Sequence, residues 1–402
     1  MPFEGPLCAS SRKGFFLPWL TAQPRHFVLA LDALDKCLFS VIAPMMWLEA
    51  RRIIDTTIEV TMNHITTKKA KIKSVGTFIP SEIVTSDDLM NEIDSQNRYN
   101  IPTDWMRVAM GIEERRVAPA SAKPSDLAIP AAREAIESCP GLSPEDIDLV
   151  IFCGIERDQP EPATAHTIQN ALGLKANHAF DMANACFGFI DAMEVASNFI
   201  KCGIVQNALV VTGEVPSKVL RSVVKTLKEG VDIKTAKNMI GALSVGDAGG
   251  AVIISSSDDY ETSGFELFNT TCHSSYADKC IYKTGEDGKV EGQMLMGHLA
   301  AAFIRFNSKL IDDTLEKLGW DNFDWMLSHQ IGKRPFEKLS AMNGVNPNSM
   351  IKTFDKLGNI TTATFPVNFK KLCADEDVQL GARIGGCFAG SGFALGQFGY
   401  TF

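Results

Sequence analysis

One pattern occurs twice in the 402-residue chain and limits what it can fold into. Ser143-Pro144-Glu145-Asp146-Ile147-Asp148 leads into the continuous apolar run Leu149-Val150-Ile151-Phe152-Cys153, and Trp320-Asp321-Asn322-Phe323-Asp324 leads into Trp325-Met326-Leu327-Ser328. A strand that is apolar at consecutive rather than alternate positions is buried on both faces, so each run needs a sheet with helices on either side. Residues 207–212, 251–255 and 391–398 read as further strands, and 124–138, 187–201 and 299–318 carry helical spacing. The periodicity predicts an α/β protein in two halves. The polar, lysine-rich stretch 215–243 reads as a surface excursion over an active-site mouth.

Hydrophobic content of 45% and charged content of 22% fit a globular protein. A net charge of −9 argues against general nucleic-acid binding, which needs a basic face. The ten cysteines lie scattered, without metal-ligand or disulfide spacing, so we read them as reduced thiols of a cytoplasmic protein and expect no metal. Residues 1–65 form an N-terminal extension. Its apolar stretch 27–48 is interrupted by Asp32, Asp35 and Lys36, and is too broken to span a bilayer. Met62 stands just ahead of the first strand-like segment, so translation is expected to begin there; an N-terminal membrane-associating helix is the rival reading.

Three polar residues stand at the ends of apolar segments. Cys186 in Asp-Met-Ala-Asn-Ala-Cys-Phe-Gly-Phe precedes a helical pattern. The free N–H groups at a helix start favour thiolate, which is the form that attacks acyl groups. A small cysteine also packs well under a helix, and alone it decides nothing. His329 follows an apolar strand directly, and Asn359 follows Gly358 in a turn before a threonine-rich segment. Each has an ordinary structural reading when taken singly.

Taken together, Cys186, His329 and Asn359 in that chain order resemble β-ketoacyl-acyl-carrier-protein synthase III, a thiolase-superfamily condensing enzyme. The flanking words agree from about Lys71 to Phe402. Trp105 through Gly111-Ile112-Glu113-Glu114-Arg115, then Ser244-Val245-Gly246-Asp247-Ala248-Gly249-Gly250-Ala251, then Gly385-Gly386-Cys387-Phe388-Ala389-Gly390-Ser391-Gly392 look like the family's segments. The resemblance implies a five-layered αβαβα fold of two similar halves, 66–257 with the nucleophilic cysteine and 258–402 with the histidine and asparagine. It implies a Claisen condensation of thioesters. Cys186 would carry the acyl group, and the backbone N–H groups of Cys186 and Gly386 would hold the oxyanion. His329 and Asn359 would hold the enolate of a malonyl-type thioester.

Trp105 and Arg334 match the family's residues for the coenzyme A adenine and phosphates, whereas Ala109 replaces a second arginine. Glu161 stands where ordinary family members carry an apolar residue, on a loop that crosses a homodimer interface into the partner's site. A glutamate there resembles enzymes that join two acyl-CoAs head to head without decarboxylation, with the carboxylate as base. The implied partners are acyl-CoA with malonyl-CoA or malonyl-acyl-carrier-protein, and no separate cofactor is implied. Two alternatives remain: acyl transfer from the cysteine to an alcohol or amine, against which His329 and Asn359 stand, and a non-catalytic subunit of a heterodimer, against which the intact cysteine, histidine and asparagine stand.

Overall fold

The computed structural model describes residues 69–257, 263–284, 290–342 and 344–402, and the expectations for Met62 and the N-terminal extension lie outside them. The strands are β1 (Ala70–Phe78), β2 (Glu82–Thr85), β3 (Glu114–Val117), β4 (Leu149–Cys153), β5 (His178–Met182), β6 (Asn207–Glu214), β7 (Ala248–Ser256), β8 (Gly264–Cys272), β9 (Cys280–Thr284), β10 (Val290–Met294), β11 (Trp325–Ser328), β12 (Arg383–Gly390) and β13 (Ala394–Thr401). The main helices are α1 (Pro124–Glu137), α2 (Thr164–Leu172), α3 (Gly188–Lys201), α4 (Ser217–Glu229), α5 (Met296–Leu318), α6 (Lys333–Ser340) and α7 (Thr364–Asp375).

Two sheets carry the core. The first has strand order β1-β7-β6-β4-β5 and the second β11-β12-β13-β8. In the first sheet β1 and β7 pair antiparallel, β7 and β6 antiparallel, and β6 and β4 parallel. In the second sheet β8 and β13 pair antiparallel, β13 and β12 antiparallel, and β12 and β11 parallel. The order and sense of β1-β7-β6-β4 are thus repeated in β8-β13-β12-β11, with β5 added to the first sheet. The two occurrences of the apolar run in the sequence are β4 and β11, which hold the same position in their sheets.

The hydrophobic clusters place the layers. Ala128, Ala131, Ala132 and Ala135 of α1 and Ile168 of α2 pack on Val150, Phe152, Leu209 and Val211. The opposite sheet face, Ile151, Val210 and Val252, packs on Ile190, Met193 and Ala196 of α3; Phe365 and Phe369 of α7 share that cluster with Leu327, Ile384 and Phe398 of the second sheet. Ile311 and Leu315 of α5 and Leu339 of α6 cover the far side, against Met326 and Cys387. Helices therefore lie outside, between and beyond the two sheets, which is why β4 is buried at every position. Each large apolar side chain on α3 contributes about 1.5–3 kcal/mol by leaving water.

Two expectations change. The closing strand is Ala394–Thr401 rather than 391–398, because Gly390 to Phe393 form the hairpin turn, with Phe393 N–H donating to Gly390 O at 3.0 Å. The stretch 215–243 is more than a surface excursion. Leu220, Val223, Val224 and Leu227 of α4, with Ala236 and Met239, pack on Leu89, Met90, Tyr99 and Met106 in a second core. Its lysines fall on the other side of an amphipathic helix, which a composition reading does not resolve.

Candidate active site

The nucleophile candidate lies in a turn, not in a helix. Phe187 N–H donates to Asn184 O at 3.1 Å and Gly188 N–H to Ala185 O at 3.1 Å, while Ala185 has φ 47°. Asn184 Nδ2 donates to Asp191 Oδ2 at 2.7 Å, which ties the turn to the first turn of α3. The helix begins at Gly188, two residues beyond Cys186. The expectation that the helix start favours thiolate is corrected here: burial pushes the Cys186 thiol well above its ordinary range, with the Glu214 carboxylate and Cys280 adding to the effect. Desolvation disfavours the charged form.

His329 leaves the end of β11, with its N–H donating to Cys387 O of β12 at 3.0 Å. Burial pulls its imidazole down to about 4, so the ring is neutral near pH 7. Nδ1 is enclosed and without a hydrogen-bond partner among the described residues. Asn359 is braced on both sides by the Ser244–Gly250 motif: its N–H donates to Ser244 O at 2.8 Å, and Gly246 N–H donates to Asn359 O at 3.1 Å. Asn359 Oδ1 accepts from Thr361 N–H at 3.0 Å, which orients the amide and leaves Nδ2 as the free donor end. Arg115, fully buried, donates to Leu243 O at 2.8 Å and so fixes the residue before that brace.

Cys186, His329 and Asn359 line one cavity of ≈ 80 Å³, together with Cys280, Met294, Leu299, Phe303, Ile331 and the turn Gly390-Ser391. The expected oxyanion donor Gly386 is not at this cavity. It is a mid-strand residue of β12, opposite Phe398, and a Cβ there would stand 1.9 Å from the Phe398 ring. The glycine-rich word therefore serves packing at residue 386, and it is Gly390 and Ser391 that line the cavity. At Gly390 a Cβ would fall 2.9 Å from both Asn184 O and Phe187 N, so this turn must be bare to lie on the Cys186 turn.

Ile331 also lines a second cavity of ≈ 220 Å³ with Trp105, Ala109 and Arg334, and Met294 lines a groove of ≈ 520 Å³ with Trp105, Lys237 and His298. The two substrate-binding expectations, Trp105 and Arg334, are thus neighbours beside the Cys186 cavity. Glu161 is exposed on the loop between β4 and α2, and is not among the residues lining that cavity in its own chain. Phe187 and Phe189 are packed in the central core, whereas Met294 lines the cavity.

Two family models match the chain: 3-Oxoacyl-[acyl-carrier-protein (ACP)] synthase III over residues 180–275, and its C-terminal counterpart over residues 311–399. The first match holds Cys186 and the second holds His329 and Asn359. β-Ketoacyl-acyl-carrier-protein synthase III of Neisseria meningitidis serogroup A is 29% identical over 336 residues, covering 81% of this chain and 97% of the relative. The Vibrio vulnificus enzyme of that name, copy 1, is 28% identical, covering 82% of this chain and 98% of the relative. The chain is a synthase III-like enzyme of the thiolase superfamily.

As a synthase III-like protein it is an acyltransferase-type condensing enzyme. Its α/β fold is thiolase-like, as its likeness to solved structures also shows. Cerulenin-bound OleA of Xanthomonas campestris superimposes with TM-score 0.78 at 24% identity, covering 84% of this chain and 98% of that one. The same bacterium's OleA with bound lauric acid and lauroyl-CoA gives 0.77 at 24% identity. Three residues of this synthase III-like site were not legible as such. Ser391 sits in the turn at the cavity, with its Oγ donating to Cys280 Sγ at 3.1 Å. Cys280, at the start of β9, carries no signal in the sequence that sets it apart from the other scattered cysteines. Glu214 lies wholly buried at the end of β6, beneath the site. A charged residue closing a run of buried apolar positions was the one available signal for it.

Proposed function

We propose that this enzyme makes β-keto products by decarboxylative Claisen condensation of an acyl thioester with a malonyl-type thioester. The observation that carries the reading is the shared cavity of Cys186, His329 and Asn359. Cys186 Sγ attacks the acyl carbonyl, its proton leaves with the departing thiolate, and the acyl group stays on sulfur. The backbone N–H groups of Cys186 and Ser391, the latter in place of Gly386, hold the oxyanion. A malonyl thioester then loses CO₂, and its enolate oxygen accepts from Asn359 Nδ2 and from His329 Nε2. A neutral imidazole carries one proton, and the enclosed Nδ1 leaves Nε2 as the nitrogen on the cavity side. The enolate carbon bonds to the acyl carbon, the C–S bond breaks, and Cys186 is released. Trp105 and Arg334 receive the nucleotide end of coenzyme A, Arg334 by pairing with phosphate.

A second reading rests on the carboxylate at Glu161. In a homodimer its exposed loop reaches the partner's cavity, and Glu161 removes an α-proton from a second acyl thioester, so that two chains join head to head. The halves 66–257 and 258–402, a cytoplasmic location and the absence of a separate cofactor belong to the same proposal.

Intact-mass spectrometry of the wild type and Cys186→Ala with acyl-CoAs of graded length, with and without malonyl-CoA, tests both. A Cys186-dependent adduct discharged to a β-keto product only with malonyl-CoA supports the first reading. Discharge into a two-chain product without malonyl-CoA, lost in Glu161→Gln, overturns it in favour of the second. An adduct that never forms rejects both.

A further inference from the structure

A polar row crosses one buried face of the second sheet. Ser328 of β11 is in register with Cys387 of β12, Cys387 with Gln397 of β13, and Gln397 with Asn269 of β8. Residues in register point to the same face, and neighbouring strands lie about 4.8 Å apart, so the four side chains form a line of about 14 Å. The face is the one that α5 covers: Cys387 Sγ donates to Asn307 Oδ1 at 3.3 Å, and Asn269 Nδ2 donates to Thr314 Oγ1 at 2.8 Å. Ser328, Cys387, Gln397 and Asn307 are each at most 1% exposed. Yet Ser328 Oγ, Asn307 Nδ2, and both Nε2 and Oε1 of Gln397 have no hydrogen-bond partner among the described residues. Buried polar groups of this kind are satisfied in native proteins by bound water, each molecule making about three hydrogen bonds.

The row has a wet end and a catalytic end. At the first, Asn269 lines an open groove of ≈ 620 Å³ together with Asp313 and Lys317. It donates to Asp313 Oδ2 at 2.9 Å and accepts from Lys317 Nζ at 3.1 Å. At the other, His329 follows Ser328 directly, its N–H donates to Cys387 O at 3.0 Å, and its Nδ1 is buried without a partner among the described residues. The row also runs beside the Cys186 cavity. Phe303 and Ala389 line that cavity, one helix turn before Asn307 and two strand positions after Cys387. We propose that the row holds a chain of ordered water from the groove to His329, ending in a molecule that donates to His329 Nδ1 and so keeps the ring proton on Nε2. The inference rests on His329 as the enolate donor of the proposed function, a role that requires the Nε2–H tautomer. In a neutral imidazole the hydrogen bond made by one nitrogen decides which nitrogen carries the proton. Asn307 and Gln397 are therefore positioning residues, which act on the ring through water and touch neither thioester.

Two measurements on the protein test this: crystallography at a resolution that shows ordered water, and nitrogen-15 NMR of histidine-labelled protein at pH 7, with His329→Asn to assign the ring signals. Water bonded to Ser328, Asn307 and Gln397 is expected, with one molecule on His329 Nδ1, and the ring spectrum is expected to be that of the Nε2–H tautomer. Gln397→Met and Asn307→Leu, which keep side-chain size and remove the polar groups, should move the His329 signals towards a mixture of tautomers and lower kcat several-fold with little change in KM. Asn307→Ser, which keeps a polar group on the row, should retain the wild-type spectrum. A row without water, a ring proton on Nδ1, or folded Met and Leu variants with the wild-type ring spectrum would each overturn the inference. If the variants do not fold, the wild-type crystal structure and ring spectrum decide it alone. Neither readout needs turnover, so a hydrated row and an Nε2–H ring in a protein that condenses no thioester would uphold the inference and reject the proposed function.

Discussion

At the scale of single residues, His329 and Cys186 are held in their neutral forms by burial. His329, with its folded-state value near 4 against about 6.5 when unfolded, stays unprotonated through the neutral range. The unfolded chain binds that proton more readily, so the stability His329 contributes is present above pH 6.5 and is lost as pH falls towards 4. Urea melts at pH 7.0 and 4.5 should show this loss, and His329→Asn should reduce it. Glu214 works in the opposite sense: with its carboxyl raised to about 7, its contribution is present below the ordinary carboxylate range and is lost as pH rises through 7. Cavity size is also decided by single side chains. Phe303 is part of the wall of a chamber of only ≈ 80 Å³. Phe303→Ala is expected to raise the yield of Cys186 adducts from longer acyl-CoAs over shorter ones, read by intact mass. The sequence makes Cys186, His329 and Asn359 legible because each sits in a distinctive word. Glu214 and Cys280 have no such word. Their meaning comes only from which strands end beside one another, and that is a tertiary fact.

At the scale of elements, α3 is the piece on which both sheets depend. Met193 and Ile190 are fully buried between the layers. Met193→Ala is expected to cost about 2–5 kcal/mol, seen as a lower urea midpoint. Gly386→Ala separates the two roles that the glycine-rich word confounded. Its new Cβ would meet the Phe398 ring inside the strand pairing, so it should lower the thermal midpoint, with the surviving folded protein keeping its Cys186 acylation. The helices α1, α3 and α5 were legible to within a few residues, since the 3.6-residue spacing is unambiguous over such lengths. The β12–β13 hairpin was not. Glycines suit strand interiors, close approaches and turns alike, and only the register of Gly390 with Ala394 shows which is which.

At the scale of the whole molecule, the candidate site residues are divided between the two sheets. Cys186 follows β5 of the first sheet, His329 follows β11 of the second, and Asn359 is braced by the residues entering β7. The duplicated run in the sequence foretold two such sheets, because a doubly buried strand cannot be satisfied by one layer of helices. It could not foretell that the ends of strands from both would converge on a single cavity.

Three of the five non-glycine residues with positive φ among the described residues bear on how this enzyme fails. Ala185 at 47°, Thr361 at 52° and Phe393 at 60° lie beside Cys186, Asn359 and the glycine-rich turn. Each conformation costs on the order of 1–2 kcal/mol, and is kept only while the neighbouring segments press on it. When heat or denaturant eases that pressure, these corners relax before the sheets part. Ageing preparations should therefore accumulate molecules with intact circular dichroism and no turnover, and their recovery on cooling should be fast, since nothing but three bends has to spring back.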